Sequence, residues 1–138
     1  MTLKVLGYAA QSAKVPLAPF EFEQREARAD DVVIDVMYCG VCHSDLHQAR
    51  NDWGFSTYPL VPGHEVVGRV AKVGKNVTKF KVGDYAGIGC MVYSCHTCSP
   101  CEKGLEQYCL EGNTQTYNSV DRHDHMPTYG GSSKSIVA

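Results

Sequence analysis

Cys95, Cys98, Cys101 and Cys109 stand in the run Cys-His-Thr-Cys-Ser-Pro-Cys-Glu-Lys-Gly-Leu-Glu-Gln-Tyr-Cys, a C-x2-C-x2-C-x7-C spacing. Four thiolates so spaced can surround one tetrahedral Zn²⁺. The run has no long apolar stretch and is cut by Pro100 and Gly104. It cannot order itself by burying surface, so metal ligation has to supply the ordering free energy. A full shell of four thiolates leaves no coordination position for chemistry, and the reading is therefore a structural zinc lobe over residues 90–112. A disulfide pairing is the competing reading, and it belongs to an oxidising compartment.

At 138 residues the chain is about one domain, long enough for a real core and too short for a second domain of ordinary size. A formal charge of −2 leaves no basic face for a nucleic acid backbone. The lysines from Lys72 to Lys81 are interrupted by Val73, Gly74 and Phe80 and read as a solvated face. No stretch is apolar enough to cross a membrane, and the N-terminus alternates like a strand and lacks the apolar core of an export signal. Seven cysteines, an odd number, without such a signal argue for thiols held in a reducing, cytoplasmic compartment.

Short segments rich in Val, Ile, Tyr and Phe, separated by Gly, Pro, Asn and Asp, predict strands over residues 3–10, 20–25, 31–39, 64–73 and 84–92. Residues 32–38 and 66–73 each put apolar side chains on one face, as strands of a small barrel or sandwich do. The one convincing helix covers residues 44–50, with Ser44 as its N-cap and Asp45 in the first turn. Residues 111–128 are polar and without periodicity, which predicts a mobile loop, and Gly130-Gly131 restarts a strand. The fold expected is all-β with a zinc lobe.

A second constellation lies in Cys42-His43-Ser44-Asp45-Leu46-His47 and, further on, Pro62-Gly63-His64-Glu65. It combines soft and borderline zinc donors with a hydroxyl, a carboxylate and a free imidazole. His64-Glu65-Val66-Val67-Gly68 fails the peptidase pattern H-E-x-x-H, because Gly68 stands where the second His is needed and the Val pair favours strand. Cys39-Gly40-Val41-Cys42-His43 has the spacing of a haem c attachment site, but that chemistry belongs to exported proteins. Cys39 and Cys90 lie in apolar runs and read as buried thiols. His96 reads as exposed, and His123 and His125 as polar loop residues without a specific role. Trp53, taken alone, reads as core packing.

Several motifs in order resemble the zinc-dependent medium-chain alcohol dehydrogenases, in the branch of cinnamyl-alcohol-dehydrogenase-like, NADPH-linked aldehyde reductases. They are Tyr38 to His47, Pro59 to Gly68, Lys81-Val82-Gly83-Asp84, the four-cysteine lobe, Thr116-Tyr117-Asn118 and Gly130-Gly131. The resemblance covers essentially residues 1–138 and implies a GroES-like β-barrel catalytic domain, joined in the family to a Rossmann domain. By it, Cys42 and His64 look like ligands of a catalytic zinc and Glu65 like the carboxylate that can swing onto the metal. Asp45 resembles the acid that holds the imidazole of His64, and Ser44 with His47 resembles a proton relay. His43 looks like the residue that faces the cofactor pyrophosphate, and Trp53 like a wall of the substrate pocket. The activity implied is interconversion of primary alcohols and aldehydes: zinc polarises the substrate oxygen while hydride passes to or from NADP(H).

The chain departs from the family in having no G-x-G-x-x-G after a strand, so the dinucleotide fold is expected to be absent. The family's remaining cysteine ligand to the catalytic zinc lies beyond residue 138, and Ser132 replaces the usual aromatic residue after the Gly pair. The catalytic domain is therefore expected to be incomplete at its C-terminus, with its second zinc site only partly furnished and the chain inactive alone. A small alcohol or aldehyde is the expected partner, with a homodimer in the full-length form. A stand-alone, non-catalytic zinc-binding module is the competing reading, against which stand Ser44, Asp45, His47 and Glu65.

Overall fold

The computed structural model describes residues 2–138. Period-two alternation organises most of it. β1 (Leu3–Ala9) and β2 (Ala18–Gln24) form an antiparallel pair running from Leu3 opposite Gln24 to Ala9 opposite Ala18. Val5, Ala9 and Phe22 point inward and pack with Val61 and the partly buried Phe20 and Tyr129. β3 (Val32–Gly40), β4 (Glu65–Val73), β5 (Tyr85–Ile88) and β8 (Ser135–Val137) form a four-stranded sheet in the order β5-β4-β3-β8. Its inner face carries Val32, Ile34, Val66, Val70, Ala86, Ile88 and Ile136. Each Val or Ile so buried stabilises the fold by roughly 1.5–3 kcal/mol, which makes this sheet the frame on which the site is hung. β6 (Met91–Tyr93) and β7 (Thr114–Gln115) make a third, two-stranded sheet.

The mainly β expectation is met, with differences that have local causes. The strand expected over residues 84–92 divides at Gly89-Cys90 into β5 and β6, which serve different sheets. The break leaves Cys90 exposed, not buried as its apolar neighbours suggested. The strand expected from Gly130 begins at Ser135 instead. Before it, the N–H groups of Gly130, Gly131 and Ser132 bond to the carbonyls of Val61, Gly63 and Pro62 and clamp the 61–63 segment.

Residues 111–128, expected to be a mobile loop, are tied down. Thr116, Tyr117 and Asp121 are buried, and Thr114–Gln115 pairs with β6. Arg28 donates through both terminal nitrogens to Asp121, at 2.7 and 2.9 Å, and Arg25 Nε lies 3.1 Å from the same carboxylate. Burial opposes the charge on Asp121, yet Arg28 and the N–H groups of His123 and Asp124 hold this carboxyl well below the usual carboxylate range. Polarity along this stretch marks ion pairing, which composition does not distinguish from solvation. His123 likewise has a defined contact, its ring meeting Tyr93 edge-on at 5.1 Å.

Candidate metal centres and active site

Within the lobe, α2 (Ser99–Glu102) starts at Pro100's turn and a 3-10 turn covers Glu106–Tyr108. These two turns fold the run back on itself and bring all four sulfurs within 4.8 Å of one another. Zinc–sulfur bonds of about 2.3 Å in a tetrahedron require sulfurs about 3.8 Å apart. The separations Cys95–Cys101, 3.9 Å, and Cys98–Cys101, 3.4 Å, bracket that value. Backbone N–H groups point at the sulfurs: Cys98 N to Cys95 Sγ at 3.3 Å, Leu110 N to Cys98 Sγ at 3.4 Å, and Cys95 N to Cys109 Sγ at 3.5 Å. Donors aimed at sulfur favour thiolate, the form that binds metal. The N–H of Thr97, against the effect of burial, and then that of Cys98 hold the Cys95 thiol down at about 6. Cys101 stands at the other extreme: the Ser94 hydroxyl lowers it, but burial and the neighbouring thiols of Cys98 and Cys109 push it up to about 11.

The second cluster is assembled from two distant segments. Cys42 caps α1 (His43–Arg50), and His64-Glu65 enters β4. Asp45, the third helical residue, accepts the N–H of Cys42 through Oδ2 at 2.9 Å, the return half of a capping box. The helix therefore starts at His43, ahead of the Ser44 cap expected from composition. Asp45 Oδ1 accepts the N–H of Gly63 at 3.1 Å, so one buried carboxylate ties together both ligand-bearing segments. Gly63 has φ of +109°, and a Cβ there would meet Cys39 Sγ at 2.6 Å and Ser132 N at 2.9 Å. Only glycine lets the chain turn so tightly before His64. Gly40 pairs with Glu65 across β3 and β4, and the carboxylate of Glu65 lies over the space that a Cβ on Gly40 would fill.

The outcome is that Cys42 Sγ, a ring nitrogen of His64 and a carboxylate oxygen of Glu65 lie within 4.8 Å of one another. Three donors fit one zinc ion and leave a fourth position open. Asp45 stands beside the His64 ring, with Oδ1 3.7 Å from Nδ1, an ion-pair separation, while its oxygens also accept the N–H groups of Cys42 and Gly63. Against the face of His64 lies Tyr117, parallel to within 5° at 5.8 Å. Burial, and then the Asp45 carboxylate that its hydroxyl faces, raise Tyr117 well above the ordinary phenol value.

His43, Ser44 and His47 share one face of α1, with the rings of His43 and His47 stacked at 4.7 Å. His47 Nδ1 is 2.9 Å from Asp52 Oδ2. A carboxylate only accepts, so Nδ1 carries the proton and Nε2 is left as the base. Ser44 Oγ is buried and makes no hydrogen bond among the described residues. Trp53 is 48% exposed, not core; it lies against His47 at 5.1 Å and stacks with Phe55 at 5.9 Å. Asp52 and Phe55 were missed by sequence reasoning, and Tyr117 was noted only within the Thr116-Tyr117-Asn118 motif, without a role. Asp52 carried a signal, a carboxylate five residues after His47 where the helix ends.

The alcohol dehydrogenase GroES-like domain family matches residues 28–136. The chain belongs to that family. A probable cinnamyl alcohol dehydrogenase of Oryza sativa subsp. japonica is 55% identical over 131 residues, 95% of this chain and 36% of the relative. A probable mannitol dehydrogenase of Medicago sativa is 53% identical over 137 residues, 99% of this chain and 37% of the relative. The chain thus spans little more than a third of the length of these curated relatives. Among solved structures, a cinnamyl alcohol dehydrogenase of Sorghum bicolor superposes with a TM-score of 0.94 at 47% identity, over 99% of this chain and 38% of that one. A cinnamyl alcohol dehydrogenase of Helicobacter pylori, solved with NADP(H), gives a TM-score of 0.95 at 42% identity, over 100% of this chain and 40% of that one. No helix among the described residues is long and apolar enough to cross a membrane.

Proposed function

We infer that residues 1–138 are the metal-holding, substrate-side portion of a zinc-dependent, NADP-linked alcohol dehydrogenase or aldehyde reductase that interconverts primary alcohols and aldehydes. The observation that carries this reading is the meeting of Cys42, His64 and Glu65 within 4.8 Å beside the helix face of Ser44 and His47. The NADP(H) complex of the Helicobacter pylori relative supports the choice of cofactor. Free thiols support a cytoplasmic setting, and the family resemblance supports a homodimer in the full-length form.

In this reading Cys95, Cys98, Cys101 and Cys109 hold a structural zinc, and Cys42, His64 and Glu65 hold the reactive one. When bound there, zinc supplies Lewis acidity to an alcohol or aldehyde oxygen. The chain's own residues move the proton. Ser44, buried with an unpartnered hydroxyl, meets the reacting oxygen, and His47 accepts the proton on Nε2 while Asp52 holds Nδ1. His43 would meet the pyrophosphate of a bound cofactor, and Trp53 with Phe55 would wall the substrate pocket. Hydride transfer needs nicotinamide C4 held at about 3–3.5 Å from the carbonyl carbon, and no dinucleotide fold stands among the described residues to hold it. The 138-residue polypeptide alone is therefore expected to be silent.

The test is NADPH oxidation with an aromatic and an aliphatic aldehyde, run on this polypeptide and on a version extended through a nucleotide-binding domain. Activity is expected in the long form only, abolished by Cys42→Ala and lowered by His47→Ala chiefly in alcohol oxidation below neutral pH. Turnover by the 138 residues alone contradicts the division of labour, and full activity in Cys42→Ala contradicts the role of zinc. A long form inert towards both aldehydes, with no zinc at the second cluster, favours the non-catalytic module.

A further inference from the structure

The loop that follows α1 carries Trp53 and Phe55, both exposed and stacked on each other at 5.9 Å. Rings held out towards solvent bury too little surface to fix their own position, so polar ties have to do it. Several ties are local to the helix end. Ser56 N–H donates to Asn51 Oδ1 at 2.9 Å, the Ser56 hydroxyl to the Gln48 carbonyl at 2.5 Å, and the Tyr58 hydroxyl to the Ala49 carbonyl at 2.7 Å. Asn118 supplies a tie from elsewhere in the chain. Its Oδ1 accepts both the N–H and the hydroxyl of Thr57, at 2.9 and 2.8 Å, and its Nδ2 donates to Gln48 Oε1 at 2.7 Å. Among the described residues, the two bonds to Thr57 are the hydrogen bonds that join the 51–58 loop to the segment after β7. One residue earlier in that segment, the ring of Tyr117 lies against His64. Asn118 has φ of +54°, a left-handed conformation that Asn tolerates better than most residues. Backbone and amide are thus both in use at this position.

We propose that Asn118 is a positioning residue for substrate selection: its amide pins the loop bearing Trp53 and Phe55 relative to the centre of Cys42, His64 and Glu65, and so favours an aromatic substrate over an aliphatic one. This rests on the reading that Trp53 and Phe55 wall the substrate pocket. A loop already held in place need not be ordered as substrate binds, and a substrate that lies against both rings gains most from that. The two uses of Asn118 are separable by substitution. Asn118→Gly keeps the positive φ without strain and removes the amide. Asn118→Asp keeps the acceptor for Thr57, and turning the Gln48 amide over lets its Nε2 donate to the new carboxylate.

The experiment is nitrogen relaxation NMR on the 138-residue chain, in which Trp53 is the single tryptophan and gives one indole signal. Order parameters of about 0.85 are expected over residues 53–57 and at the Trp53 indole in the unaltered chain and in Asn118→Asp, falling below about 0.6 in Asn118→Gly. Equal values in Asn118→Gly and the unaltered chain overturn the proposal, and so does a loop that is already mobile in the unaltered chain. Should Asn118→Gly fail to fold, Thr57→Val decides from the other side of the contact, since it removes one of the two bonds that Asn118 accepts: lower order parameters at Trp53 support the proposal, and unchanged ones overturn it. In the version extended through a nucleotide-binding domain, Asn118→Gly should raise KM for the aromatic aldehyde several-fold, with KM for the aliphatic aldehyde and kcat little changed, and Asn118→Asp should restore it. An equal loss for both aldehydes overturns the role in selection. Unaltered KM for both aldehydes in an extended Trp53→Ala form overturns the underlying reading of the pocket instead.

Discussion

The two clusters reach similar compactness by different routes. Cys95, Cys98, Cys101 and Cys109 come from one short run, and backbone N–H groups of that run already point at three of the sulfurs. Cys42, His64 and Glu65 come from a helix cap and a strand entry, held in place by Asp45, Gly63 and the clamp of residues 130–132. The lobe is a local structure with a closed shell of four donors; the second cluster is a product of the tertiary fold with three donors and an open position. Retention of metal should follow donor number, and sensitivity to distant substitutions should follow the route of assembly.

Cys109→Ser attacks the comparison most strongly. Losing one of four thiolates should weaken lobe zinc by about 100-fold or more and unfold the lobe, while the second cluster keeps its geometry. Metal analysis and thermal melting check this, and unchanged zinc with an unchanged melt contradicts it. Asp121→Asn lies outside both clusters. Leaving Arg28 and Arg25 without their shared carboxylate should cost about 2 kcal/mol, moderated because Arg28 remains partly exposed, or roughly 5–10 °C in Tm. Because the Asp121 carboxyl is held below its unfolded value, this stabilisation is present above the ordinary carboxylate range and is lost as pH falls through the lower folded value. Melts of the variant and the unaltered chain should therefore converge in strong acid, and an equal gap at every pH would refute the pairing.

Gly63→Ala separates the two routes of assembly. With φ of +109° and Ser132 N at 2.9 Å from the added carbon, the change should cost about 1–2 kcal/mol and displace His64. Second-site zinc should fall while lobe zinc holds; loss from both sites would show that the clusters are coupled.

The same contrast explains what could be read before the structure was known. The lobe was legible because its ligands and their turn formers, Pro100 and Gly104, are neighbours along the chain. The strands β1 to β4 were legible from alternation, and the break at Gly89-Cys90 was not, because β5 and β6 read as one apolar run until their partners are known. Cys42 and His64 could be nominated through family motifs, but their meeting depends on β3 and β4 pairing in the register that sets Gly40 opposite Glu65. Asp45 could be placed beside His64, where it stands, but its tie to Gly63 needs a glycine with positive φ that no local pattern announces. Tyr117 was legible only as part of the Thr116-Tyr117-Asn118 motif, and its place against His64 was not, since its ring meets His64 only after the 111–128 segment is anchored by Arg25, Arg28 and Asp121.

The most direct test of two unequal metal centres is zinc per chain during dialysis against a weak chelator, followed by a strong one. After loading with excess zinc, any ion at Cys42, His64 and Glu65 is expected to leave under the weak chelator and the one in the four-cysteine lobe only under the strong chelator, with loss of the lobe's fold. Two ions that leave together, or a lobe that empties first, would contradict the account.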